Sequence, residues 1–316
     1  MISQNLIQVL KQQSILINKI RNFFQTRAVL EVQTPILYPA PVTDPYIDAF
    51  EVELSFKKQQ KYYLQTSPEY AMKRLLAAGS GPIYQICKVF RNEPSATKHH
   101  PEFLMLEWYR PGFSEEKLIQ EVSELLTLIL GTPALKSLTY KSCFETHFGI
   151  NPHEISQKDL ILLCKKIDLA VITSSELSRD DYLSLLFTHR IEKTLGLEHP
   201  VAITHFPVSQ AALAKKKQVD GDWVASRFEV YYQGLELANA YDEEISANNL
   251  RNQFEIDLKT RAQLGLKQVP IDEALLAITD QMPTGCGIAM GLDRLLLLAL
   301  KLKNFSELMP FFIEPD

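Results

Sequence analysis

The side chains most able to do chemistry crowd one stretch of this 316-residue sequence, residues 88–110. An apolar run over 83–90 ends at Arg91, and a polar, proline-containing loop over 92–101 carries Asn92, Glu93, Lys98, His99 and His100. A further run, 103–109, holds Glu107 and Tyr109 among apolar neighbours. Two strand-like runs around a charged loop predict an antiparallel hairpin with a long tip. Strand alternation puts Phe103, Met105, Glu107 and Tyr109 on one face, and at ~3.3 Å per residue that face is about 20 Å long. It has room for a nucleotide at the Phe103 end and a small amine at the Glu107 end. A buried carboxylate is costly unless something ionic meets it, so Glu107 needs a partner, and a cationic ligand would serve.

Another constellation lies further on. Asn239, Tyr241 and Glu243 fall at i, i+2 and i+4, and Glu229 and Glu236 flank a Gln233-Gly234 turn. Paired carboxylates suit a divalent cation, since hard cations take oxygen ligands. Strict alternation puts Glu236 on the opposite face from Asn239, Tyr241 and Glu243, so a single site needs an irregular strand between 236 and 239. Gly285, Gly287 and Gly291 form G-x-G-x-x-x-G, one residue off the dinucleotide fingerprint and preceded by Pro283. Their better use is to let a ligand approach a strand backbone closely. No phosphate-loop pattern occurs.

The elements needed to hold these groups can be read around them. Helical spacing predicts a helix over 4–27, a strand over 29–32 and a stop at Pro35. Strict alternation over 50–56 predicts a half-buried strand, with another over 62–65. Ser67 is the expected N-cap of a helix with Pro68 in its first position, running to Ala78. A helix begins at Glu115 and ends at Gly131, and residues 132–200 read as a mainly helical insertion. Strands follow over 201–206, 223–232 and 235–241, with a polar loop over 214–222 whose Lys215, Lys216 and Lys217 form a solvated tip. Helices are expected over 248–265 and 272–280, then the glycine-rich strand, then Asp293 and Arg294 opening an apolar helix. Strands outnumber crossover units, which favours α+β with an antiparallel sheet.

Composition bounds the rest. Hydrophobic residues make up 46% and charged residues 22%, an ordinary globular balance, and the net charge of −5 gives no broad nucleic-acid footprint. Four scattered cysteines form no C-x-x-C pair, which excludes a zinc or disulfide framework and fits a cytoplasmic protein. Apolar runs are too short to span a bilayer, and no secretory signal is read.

Together these stretches resemble the class II aminoacyl-tRNA synthetase catalytic core, in its lysyl branch. The family's first motif resembles residues 23–35, ending at Pro35 and implying a homodimer. Its middle motif is similar to the run from Arg91, Asn92 and Glu93 through Pro101, Glu102 and Phe103 to Glu107 and Tyr109, and its last motif to 287–294. Glu236, Asn239, Tyr241 and Glu243 match the lysyl pattern E-x-x-N-x-[FY]-x-E. The first motif's helix begins within a few residues of Met1 and only residues 295–316 follow Arg294, so no anticodon-binding domain is expected. A stand-alone core of this kind resembles the elongation factor P–(R)-β-lysine ligase family, and the expected fold is one such α+β domain over 1–316. Alternatives are a truncated synthetase charging tRNA and a non-catalytic paralogue that binds an amino acid.

The resemblance implies roles. Arg91 binds the substrate carboxylate and the α-phosphate, and Phe103 and Arg294 sandwich adenine. Asn92, Glu93, His100, Leu237 and Gly291 complete the ATP site, although the family usually has asparagine at the position of His100. Glu229 and Glu236 hold Mg²⁺. Glu243 and Tyr109 hold the ε-ammonium, Glu69 the other ammonium, and Asn239 orients the substrate; Ser67, Pro68, Glu107, Tyr241 and Ala289 line the pocket. The branch usually has glycine at the position of Ala289, and one added methyl on the pocket floor would favour a β-amino isomer. The implied partners are (R)-β-lysine or lysine and elongation factor P, with no membrane and no tRNA.

Overall fold

The computed structural model describes residues 4–57, 60–93, 100–169 and 177–311. Lys98 and His99 of the expected hairpin tip lie outside the described residues. In chain order the elements begin with α1 (Gln4–Gln25), β1 (Leu30–Glu31), β2 (Leu37–Tyr38), β3 (Glu51–Glu53), β4 (Lys61–Leu64) and α2 (Glu69–Ala77). Next come β5 (Ile83–Phe90), β6 (Glu102–Pro111), α3 (Glu115–Leu130), β7 (Lys136–Thr139), α4 (Tyr140–Phe148), α5 (Gln157–Lys166) and α6 (Arg179–Leu186). The chain continues with β8 (Val201–Pro207), β9 (Lys216–Val219), β10 (Asp222–Tyr232), β11 (Leu235–Asp242), α7 (Ala247–Gln263), α8 (Glu273–Leu276), β12 (Gly285–Gly291), α9 (Leu292–Leu300) and α10 (Phe305–Leu308). The fold is α+β, and its residues form two compact units.

The first unit comprises Met1–Ser114, Leu128–Leu130 and Glu243–Asp316. Here β5 and β6 form the expected hairpin, with Val89 opposite Phe103, Gln85 opposite Glu107 and Ile83 opposite Tyr109. On the other side β6 pairs antiparallel with β12, which sets Ala289 opposite Glu107 and Gly287 opposite Tyr109. The short β1 joins β5 in parallel, so the sheet is mixed at this edge. Alternation gives β6 two different faces. Leu106 and Trp108 are fully buried, and Trp108 meets Phe24 of α1 edge-on, with centroids 5.3 Å apart. The opposite face carries Phe103, Met105, Glu107 and Tyr109, and Tyr109 packs in a cluster with Met72 and Leu76 of α2. Helix α2 therefore roofs the amine end of the hairpin.

The other unit comprises Glu115–Thr127 and Gly131–Asp242. Its strands run β7 parallel to β8, β8 antiparallel to β10, and β10 antiparallel to both β11 and β9. Helices α4 to α6 pack an aromatic core in which Tyr140 stacks on Phe187 at 5.2 Å. Ser178 caps α6 through a capping box with Asp181.

Several local expectations are corrected. Pro68 is the N-cap of α2 rather than its first helical residue, because Ser67 Oγ takes the Glu69 amide while donating to Glu107. The alternating run over 50–56 pairs only over three residues, and Phe56 is left exposed. The supposed loop over 214–222 is half strand. Asp220 and Gly221 both take positive φ, as a two-residue hairpin turn requires, and join β9 to β10. Two of its lysines are not a solvated tip: Lys215 pairs with Asp242 at 2.7 Å and Lys217 with Glu115, while Lys216 between them is exposed as expected. The helix expected over 272–280 is one turn, α8, followed by a tighter turn over Thr279–Gln281.

Candidate active site

In the first unit the candidate site centres on Glu107, which is 1% exposed. Ser67 donates to its Oε2 at 2.7 Å and Tyr109 donates to its Oε1 at 2.8 Å. Glu69 and Glu243 lie close enough to act on it electrostatically. Burial pushes the Glu107 carboxyl up, the Glu69 charge adds to this, the two hydrogen bonds oppose it, and Glu243 adds again, leaving it at about 8. Residue spacing alone did not reveal the side chain that organises these acids. Lys73, one turn after Glu69 on α2, is wholly buried, with Nζ 2.6 Å from Glu69 Oε1 and 2.7 Å from Glu243 Oε2. Burial favours its neutral form, but the two carboxylates outweigh that and hold it protonated. The i, i+4 spacing from Glu69 was the signal available.

The floor of the pocket comes from β12. A Cβ on Gly287 would stand 2.3 Å from Tyr109 Cε1 and 2.4 Å from Glu243 Oε1, so only glycine lets those side chains meet there. Ala289 faces Glu107 across the same strand pair.

At the other end of β6, the Arg91 guanidinium sits 5.3 Å from the centroid of the Phe103 ring, and its Nε is buried with no partner among the described residues. An orphaned cationic donor suits an anionic ligand atom. The Asn92 amide donates to Asp48 at 2.7 Å. The His100 ring closes on the Glu102 carbonyl at 2.5 Å. Glu93 follows Arg91 in the loop, its amide bonded to the Arg91 carbonyl. Arg294 runs along Gly291, where an added Cβ would lie 3.4 Å from its Cδ. Asp293 accepts from the Leu104 amide at 2.7 Å, which pins the start of α9 to β6. Burial raises the Asp293 carboxyl to about 6, against the pull of that amide.

The other unit holds the remaining constellation, and the irregularity that alternation demanded is present. The β10–β11 register slips between Val230 and Tyr231: Val230 faces Ala238, but Tyr231 faces Glu236, so Leu237 is the extra residue of a bulge. The bulge brings Glu236 into the row of Glu229 and Asn239, which face each other directly. Arg227 and Tyr231, which the spacing of the acids did not single out, complete the row. Arg227 Nη2 and the Tyr231 hydroxyl each reach Glu229 at 2.5 Å, and Arg227 Nε donates to Asn239 at 3.1 Å. Asn239 in turn donates to the Tyr241 hydroxyl at 2.8 Å. Arg227 and Tyr231 each lie two positions from Glu229, so strand alternation alone could have found them. Burial raises the Glu229 carboxyl, with Arg227 opposing and Glu236 adding. Two carboxylates in one row, one of them crowded by the other, form a donor set that fits a hard divalent cation.

Comparison with known proteins agrees with this geometry. Residues 1–314 match the family model for class II tRNA synthetases (D, K and N). The chain is 47% identical over 312 residues to an elongation factor P–(R)-β-lysine ligase of Avibacterium paragallinarum, covering 98% of this chain and 96% of that one. It is 45% identical over 309 residues to the ligase of that name from Pseudoalteromonas translucida (96% and 95% covered). It is 44% identical over 303 residues to one from Haemophilus influenzae (95% and 93% covered).

Two outcomes are expected. Because the folded Glu107 holds its proton up to about pH 8 and an unfolded glutamate loses it near ~4.3, this group makes the ligand-free protein less stable as pH rises between those values. The loss is on the order of a few kcal/mol. Glu107→Gln does not titrate, so its melting temperature, followed by calorimetry, should fall less than wild type between pH 5 and 8; an equal fall contradicts the assignment. Gly287→Ala should force Tyr109 or Glu243 out of place and lower the melting temperature, followed by calorimetry; an unchanged melting temperature contradicts the close packing.

Proposed function

The chain belongs to the class II tRNA synthetase family and, within it, to the elongation factor P–(R)-β-lysine ligase family, and on that premise we propose that it activates (R)-β-lysine with ATP and transfers it to a lysine of elongation factor P. The convergence of Glu69, Glu107 and Glu243 in one buried pocket carries this reading. Such a pocket is built for a ligand bearing more than one positive charge.

In the first step a substrate carboxylate oxygen bonds to the α-phosphorus, and the bond from that phosphorus to the bridging oxygen breaks, releasing pyrophosphate. Arg91 is the group for the reacting carboxylate and α-phosphate, since its buried Nε is an unspent donor beside Phe103. Phe103 and Arg294 offer a ring and a guanidinium for the adenine. Glu229 and Glu236 would hold Mg²⁺, which neutralises the β- and γ-phosphates and makes pyrophosphate a better leaving group. Ala289, opposite Glu107, takes the floor position where an extra methyl favours a β-amino isomer.

In the next step the lysine ε-nitrogen of the acceptor bonds to the acyl carbon and AMP departs. That nitrogen has a reference pKa near ~10.4, so it must lose a proton at the site, and the adenylate's own phosphate is a chemically competent acceptor.

Two measurements test the proposal. Arg91→Ala should lower ATP–pyrophosphate exchange by ~10² or more while the fold persists; normal exchange removes Arg91 from the reaction. Incubation of the full chain with ATP and (R)-β-lysine should shift the mass of elongation factor P by one lysyl residue and leave lysine tRNA uncharged. Charged tRNA, or no adenylate at all, overturns the proposal.

A further inference from the structure

Lys73 is the feature that the proposed reaction leaves unused. Its side chain is 0% exposed, between α2 and the carboxylates of Glu69 and Glu243. Lysine is almost never fully buried, and an ion pair in the interior is a poor stabiliser, since desolvation largely cancels the attraction. A methionine of similar length would pack beside Met72 and Leu76 without that penalty. Nor is Lys73 a nucleophile: the two acids hold its proton, so it has no free lone pair. The arrangement must therefore be explained by what the acids do when a ligand is bound.

We infer that Lys73 is a positioning residue that sets the charge of the site: by engaging Glu69 and Glu243 together, it leaves the three carboxylates, once Glu107 ionises on ligand binding, two charges short of neutrality, one for each ammonium of a diamino acid. The count rests on the reading of the pocket given under Proposed function. Its local part does not. Without Lys73, Glu69 and Glu243 would both lose the cation they share, and ionising them beside the buried Glu107 would be opposed by their mutual repulsion. Among the described residues, the groups seen to act on this centre include Glu69 and Lys73 from α2, Glu107 and Tyr109 from β6, Cys87 from β5, and Glu243 just after β11. Tyr109 and Cys87 are pushed up by burial and by the acids, Cys87 to about 12, so both stay neutral at physiological pH and cannot supply or absorb the missing charge.

The test uses the full chain without ligand. Melting curves of wild type, Lys73→Met, and Lys73→Met combined with Glu69→Gln are recorded from pH 5.5 to 8. If Lys73 balances the acids, the melting deficit of Lys73→Met widens by several degrees as pH rises, because protonated acids need no cation. The double variant, which removes one acid with the lysine, regains much of the deficit at pH 8. A Lys73→Met protein that folds at pH 5.5 and fails to fold at pH 8 gives the same answer. A deficit independent of pH, or a double variant no better than the single one at pH 8, overturns the inference and makes Lys73 a packing residue. No arm requires the amino acid, so absence of lysine activation would refute the proposed function without touching this result.

Discussion

Two carboxylates paired with one buried lysine, and a third, Glu107, close enough to feel both acids, are the constraint on which the first unit depends. Removing a charge from water is unfavourable by several kcal/mol unless a partner meets it. Glu69 and Glu243 share Lys73 as that partner, and both act on Glu107 beside them. The surroundings are arranged to keep that cluster intact. Ser67 and Tyr109 give Glu107 its two donors, and the α2 apolar residues Met72 and Leu76 seal Tyr109 from water. Gly287 leaves the space in which Tyr109 and Glu243 meet. The residual negative charge is then available to a ligand, and Glu107, held protonated near neutrality, is the member that can change state when one arrives.

The other unit solves a related problem differently. Glu229 is also buried, but its partners are local: Arg227 and Tyr231 on its own strand, with Asn239 and Tyr241 linked to Arg227 from the next. A single extra residue, Leu237, rotates Glu236 into that row. The bulge is a positional device, placing two acids together where a regular ladder would separate them by the thickness of the sheet.

Much of this was legible from residue spacing because the hairpin signals are strong. The strand expected over 83–90 is β5 to the residue, and the face of Phe103, Met105, Glu107 and Tyr109 follows from a period of two. Even the bulge was implied, since a regular strand could not have aligned Glu236 with Asn239. Lys73 was not legible: a lysine four residues after a glutamate on an amphipathic helix reads as a surface pair, and only tertiary contact with Glu243 shows it buried. The bond of the Asn92 amide to Asp48 was not legible either, because Asp48 is distant in sequence. The strand over 50–56 shrank because alternation reports a possible buried face, whereas pairing needs a partner, and β4 supplies one for only three residues.

The claim at the centre is that the acid pocket takes a diammonium ligand and that Glu107 gives up its proton to do so. Calorimetric titration of the full chain with (R)-β-lysine at pH 7, in buffers of different ionisation enthalpy, measures that proton directly. Release of about one proton per ligand bound is expected from a carboxyl that is mostly protonated before binding and ionised after it. A binding heat that does not change with the buffer would mean that Glu107 keeps one protonation state through binding, and would contradict it.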